Sequence, residues 1–200
     1  MCFRTSSFPI ILFMKLGLKE RIVKISKQLG HNHIGSSLTA VDTIAEIYKK
    51  KKPEDKFVLS NGHAALALWV VTHPDDDEAL PIKECLHSDS SWCDCSTGSL
   101  GHGLGIAVGM ALANRKRNVH CMISDGECAE GSIWESLRIA YEQRLSNLYV
   151  YVNANGYASY QPVDLDILEN RLKAFFPVEF IRTIQEEPFT ELDGHYAKAK

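Results

Sequence analysis

The chain lacks a basic field: its 22 Lys and Arg are set against 25 Asp and Glu, for a formal net charge of −3, and its eight histidines are spread out rather than massed with cations. The electrostatic footprint of nucleic-acid binding is therefore missing. A long apolar run is lacking as well. The stretch Phe8-Pro9-Ile10-Ile11-Leu12-Phe13 is too short to span a bilayer and has no small-residue cleavage pattern after it, so no membrane role is expected. Regular cysteine spacing is absent too. Cys2, Cys85, Cys93, Cys95, Cys121 and Cys128 fall unevenly in a chain rich in helix and strand patterns, which argues against a disulfide framework and for a reducing, cytoplasmic setting. Finally, the run Gly98 to Gly105 fits neither common phosphate fingerprint: no Gly-Lys-Ser/Thr occurs, and Ile106 stands where a dinucleotide motif wants a third glycine.

What is there suits one α/β domain. Two hundred residues, 45% of them apolar, can bury a single core and are too few for two full-sized ones. The expected domain is 15–200, with 1–14 an extension or a misassigned start, because helical periodicity begins only at Leu18, Ile22, Ile25 and Leu29. A second helix is predicted from an N-cap at Thr39 to Tyr48. Strands Phe57–Leu59, Val119–Ile123, Leu148–Val152 and Val178–Ile181 then alternate with helices Ala64–Val71, Leu104–Ala113, Ser132–Arg144 and Leu165–Phe175. That alternation predicts a mostly parallel sheet with helices on both faces, whose ligands sit beyond the carboxyl ends of the strands.

Two of those ends carry chemistry. Asp125-Gly126 follows one strand and Asn153-Ala154-Asn155-Gly156 the next, and the 30 residues from Asp125 to Asn155 suit a single strand-helix-strand crossover. A carboxylate and an amide oxygen thus leave neighbouring parallel strands on one edge. Such hard donors suit Mg²⁺ or Ca²⁺ with a diphosphate completing the shell, and Gly126 lets the backbone approach the phosphate. Taken singly, each dipeptide reads as a turn; the pair at this spacing favours the metal. Cys85, His87, Cys93 and Cys95 resemble a zinc set only loosely, since Cys-x-Cys departs from the usual Cys-x₂-Cys.

Ser124-Asp125-Gly126-Glu127, Glu130-Gly131-Ser132-Ile133-Trp134-Glu135 and Asn153 to Gly156 resemble the thiamine-diphosphate motif of the transketolase family. His33-Ile34-Gly35, the segment Phe57 to Ala64 with Ser60-Asn61-Gly62-His63, and Ser96 to Leu104 resemble the same family's N-terminal half in the same order, so the likeness runs from Leu18 to Thr183. It implies the thiamine-diphosphate-binding fold. Asp125, Asn155 and the carbonyl of Tyr157 would bind the metal, and Gly126 the diphosphate. His33, His63 and His87 would face the thiazolium and substrate hydroxyls as proton donors and acceptors near neutral pH. Gly98 and Leu100 would lie over the cofactor's rings. Glu130 and Glu135 match family positions in a carboxylate network near the cofactor at the subunit interface; Glu135 paired to Arg138 on a solvated helix face is the plainer alternative.

Ser124 stands where the family's motif usually opens with glycine, and the chain is short between Val71 and Ser96. The resemblance further implies a pyrimidine-binding domain whose glutamate activates the cofactor. With none expected here, a separate C-terminal transketolase subunit is the implied partner, two copies of each chain acting together on sugar phosphates. A 1-deoxyxylulose-5-phosphate synthase-like enzyme subunit and a non-catalytic cofactor-binding homologue are the alternatives.

Overall fold

The computed structural model describes residues 8–75, 92–158 and 161–184. Four strands, β1 (Lys56–Leu59), β2 (Val119–Ser124), β3 (Leu148–Ala154) and β4 (Val178–Arg182), form one sheet in the order β1-β2-β3-β4 with every pair parallel. The helices are α1 (Phe8–Leu29), α2 (Ile34–Lys50), α3 (Ala65–Thr72), α4 (His102–Ala113), α5 (Gly131–Glu142) and α6 (Leu165–Phe175).

Alternation along the strands builds two cores. Phe57, Leu59 and Met122 pack with α1, α2 and α3 on one face, whereas Val58, Cys121, Ile123, Val150 and Val152 pack with α4, α5 and α6 on the other. Because both faces of β2 are covered, all six of its residues are buried, as in a central parallel strand, with His120 and Ser124 the polar members of an otherwise apolar run.

The strands and most helices lie where periodicity puts them, within a few residues. The boundaries that differ have local causes. Helix α1 begins at Phe8, well before the periodic positions. Helix α2 starts at Ile34 rather than after a cap at Thr39, since His33 takes a left-handed conformation (φ 59°) that turns the chain straight into the helix. Thr39 is therefore inside α2, and its hydroxyl donates back to the Ser36 carbonyl (3.2 Å) instead of capping. Asp164 does cap α6, accepting from Ile167 N–H at 3.0 Å.

Candidate functional site

The carboxyl ends of β1, β2 and β3 open into a cleft of about 240 Å³ lined by His33, Ser36, Asn61, His63, Gly98, Leu100, Ser124, Asp125, Gly126, Asn153, Asn155, Tyr157 and Ala158. The sheet register makes this unavoidable. Ser124 pairs with Asn153, so Asp125 leaves β2 beside the end of β3 where Asn155 and Gly156 turn away.

Asp125 is 2% exposed. One carboxylate oxygen accepts from Gly126 N–H (2.9 Å) and the other from Gly156 N–H (2.6 Å), which fixes the side chain between the two loops. Burial pushes its pKa up to about 6, against the opposing pull of those backbone donors. Asn155 is oriented by its neighbours: its amide nitrogen lies 3.4 Å from Thr39 Oγ1, and its oxygen accepts from Tyr157 N–H at 3.0 Å. A Cβ built on Gly126 would stand 3.5 Å from the Tyr157 carbonyl oxygen and 3.3 Å from Ala158 Cα, so that carbonyl faces the glycine and a side chain there would crowd it. One carboxylate, one amide oxygen and one main-chain carbonyl thus gather at one corner, a hard-oxygen set of the kind Mg²⁺ or Ca²⁺ takes and a soft-metal site does not.

Across the cleft, His63 rides on a short 3₁₀ turn, Gly62–Ala64, and its ring lies 5.5 Å from that of His33 with a tilt of 44°. The glycine loop supplies Gly98 (φ 135°) and Leu100, and it is seated by Gly101 (φ 75°), where a Cβ would collide with Ser132 Oγ and come within 2.8 Å of Glu130 Cβ. Glu130 therefore stands behind the glycine loop rather than in the cleft wall. Glu135 is on the outer face of α5, 2.5 Å from Arg138, with more than half of its side chain exposed. His87 lies outside the described residues, as do Cys85 and Cys2. Among the described residues no three His, Cys, Asp or Glu gather as a metal cluster.

Further residues belong to the site that sequence reasoning gave no role. Asn61, Ser124 and Asn153, each within a quoted motif, and Ser36, which no motif contains, line the cleft. Glu127 is fully buried behind it and holds three loops together: one oxygen accepts from the Ser60 hydroxyl (2.6 Å) and Gly101 N–H (3.0 Å), the other from Ser124 N–H (2.9 Å). Burial raises its pKa despite these donors. Ser124 in place of glycine is accommodated because it is the last residue of β2 with no positive φ, and its hydroxyl and N–H both serve Glu127.

A parallel α/β sheet with a polar cleft at its carboxyl edge is the architecture of a cofactor-binding domain, and similarity to known proteins identifies it as a fold of the thiamine-diphosphate-binding type. The family model described as 1-deoxy-D-xylulose-5-phosphate synthase matches residues 13–197. Transketolase of Pongo abelii is 32% identical over 79% of this chain and 30% of its own length, and transketolase-like protein 2 of Homo sapiens is 33% identical over the same shares. A transketolase family protein of Sinorhizobium fredii is 32% identical over 69% of this chain and 59% of its own. The solved transketolase from Leishmania mexicana superposes with a TM-score of 0.65 at 18% identity, over 90% of this chain and 37% of that one. The chain belongs to the transketolase family, as an N-terminal thiamine-diphosphate-binding domain, and spans about a third of the length of the mammalian relatives it matches.

Proposed function

We propose that this chain is the diphosphate- and metal-binding half of a transketolase-type transferase, which moves a two-carbon ketol unit between sugar phosphates when a pyrimidine-binding chain completes the site. The convergence of Asp125, Asn155 and the Tyr157 carbonyl on Gly126 carries this reading. These groups would hold Mg²⁺, and the open backbone of Gly126 would receive a diphosphate. Thiamine diphosphate, when bound, supplies the electron sink that cleavage of a carbon–carbon bond beside a carbonyl requires. His33 and His63, paired across the cleft, would hold and move protons at the sugar's hydroxyl oxygens.

The partner chain is supported by two observations. A cleft of about 240 Å³ is below the ~300–1,000 Å³ of complete small-molecule sites, as expected of half a site. The matched region also makes up 59% of the Sinorhizobium protein against 30% of the mammalian ones, so shorter chains of this family exist. Two copies of each chain, related by two-fold symmetry, would follow. A 1-deoxy-D-xylulose-5-phosphate synthase-like reaction is the second reading, favoured by the family model that matches 13–197. Assaying the chain with an aldose-phosphate acceptor and either a ketose-phosphate or a 2-oxo-acid donor, alone and with a pyrimidine-binding chain, separates the outcomes. Ketol transfer only with the partner is expected; formation of 1-deoxyxylulose 5-phosphate instead would favour the second reading, and robust transfer by the chain alone would refute the split.

A further inference from the structure

Asn61 is 1% exposed, yet neither its side-chain oxygen nor its side-chain nitrogen has a hydrogen-bond partner. Buried polar groups in folded proteins are almost always paired, because each lost water contact must be replaced. An amide with both ends unpaired therefore calls for a cause, and the surroundings of Asn61 provide one.

The residue lies two positions beyond the last register pair of β1 and β2, Leu59–Met122, which sets it alongside Ser124 and one step short of Asp125 in the cleft wall. Its loop is held on every side. Ser60 N–H donates to the Met122 carbonyl (2.8 Å), the Ser60 hydroxyl donates to Glu127 (2.6 Å), and the Asn61 carbonyl accepts from Ala64 N–H (2.8 Å). Behind it, Thr97 and Gly98 press so close to Gly62 that a Cβ there would stand 2.7 Å from Thr97 Oγ1 and 2.9 Å from Gly98 N. The backbone on either side of Asn61 is thus fixed, which keeps the residue in the cleft lining.

We propose that Asn61 is a diphosphate-binding residue: its Nδ2–H₂ donates to an oxygen of the diphosphate that Asp125 and its metal hold, while Oδ1 serves a donor of that group's hydration shell. This rests on the proposed diphosphate site at Asp125 and Gly126 and adds a residue to it. An uncharged donor is suited to the task, since it meets an anion without adding a second titrating group beside a buried carboxylate. The unfilled amide is the cost the empty fold carries for a preformed site.

That cost gives the test a sign that a structural asparagine would not produce. In Asn61→Leu, which keeps the branched shape without polar atoms, the ligand-free chain is expected to melt a few degrees higher. Calorimetric affinity for inorganic diphosphate with Mg²⁺, and for thiamine diphosphate with Mg²⁺, is expected to fall by about tenfold or more. Asn61→Asp, which keeps the acceptor but loses the donor and adds a negative charge, is expected to bind diphosphate more weakly still. Asn61→Ala repeats the affinity comparison should the leucine variant not fold. A lower melting temperature in Asn61→Leu with unchanged affinity would overturn the inference and make Asn61 a structural residue. If only thiamine diphosphate is affected and inorganic diphosphate is not, the amide faces the rings and the diphosphate assignment is wrong. A wild-type chain that binds neither ligand would instead overturn the diphosphate site itself.

Discussion

At the amino end of the sheet, most buried polar groups answer one another, although His120 Nε2 and Arg117 Nε have no hydrogen-bond partner among the described residues. The Asn147 amide lies within 3.1 Å of the carbonyls of Ala111, Asn114 and Arg117, tying the end of α4 and its exit loop to β3. His120 stacks on Tyr149 (5.0 Å), reaches the Tyr151 hydroxyl through Nδ1 (3.0 Å) and has Asp55 3.6 Å from Nε2. Although burial opposes it, donors from Lys52 N–H and Asn118 together with His120 hold the Asp55 carboxyl below its ordinary range. At the carboxyl end, a few residues along the same strands, the pattern reverses. Asp125 and Glu127 are buried with no Lys or Arg paired to them among the described residues, both carboxyls are pushed upward, and Asn61 has no partner. Buried carboxylates with no cation beside them, clustered about a cleft together with an unpaired amide, set the carboxyl end apart from the scaffold and mark it as the place for a ligand.

The most severe way to break that contrast is Asp125→Ala. It removes the only formal negative charge among the proposed ligands, so Mg²⁺-dependent binding of thiamine diphosphate should fall by roughly 10³-fold or more, as several kcal/mol of charge-assisted coordination are lost. Calorimetry on a variant whose circular dichroism is native checks this, and unchanged affinity would remove Asp125 from the site. His63→Ala addresses the opposite wall. In the complex with a pyrimidine-binding chain, turnover should drop by about 10²-fold while cofactor affinity moves little, if the ring carries protons in the reaction. Wild-type turnover would make His63 structural.

At the closed end the expectation is inverted. Asn147→Ala should cost about 2 kcal/mol of stability in denaturant titration, because carbonyls of the α4–β2 connection lose their shared donor, and should leave cofactor affinity within about twofold. A variant that weakens the cofactor as much as it weakens the fold would erase the distinction between the two ends.

The pH dependence sharpens it further. The Asp125 pKa is pushed up to about 6 in the fold, above its ordinary value of 3.8 in the unfolded chain. The stability this group contributes is therefore fully present below the unfolded value and lost as pH rises through about 6, so the ligand-free chain gains from acidification across that window. Metal binding needs the carboxylate and runs the other way. Its affinity should weaken by about tenfold between pH 7 and pH 5, once the proton competes. Calorimetry at both pH values checks the sign, and an affinity flat over that range would show that Asp125 is not a ligand.

Much of this was legible before any coordinates. The four strands are short apolar runs bounded by turn residues, and the spacing from Asp125 to Asn155 suits adjacent parallel strands, so the juxtaposition of these two residues follows from local pattern and topology together. What could not be read depends on contacts distant in sequence. Thr39 carries the signature of a cap, but it lies inside α2 because His33 makes the turn earlier, and there it sits 3.0 Å from the Asn153 amide nitrogen. Glu127 and Ser60 are 67 residues apart, and nothing in either segment announces their bond. Asn61 stood within a recognised motif, yet an unpaired amide is a property of the packed structure alone. Glu135 was readable in two ways, and α5 turns it outward beside Arg138.

The central claim is that the open polar end is a metal-dependent diphosphate site. Titrating the wild-type chain with thiamine diphosphate in the calorimeter, with Mg²⁺ and then with the metal chelated, tests it most directly. The account predicts binding at one site per chain that disappears on chelation. Binding that survives without the metal, or no binding in its presence, would contradict it.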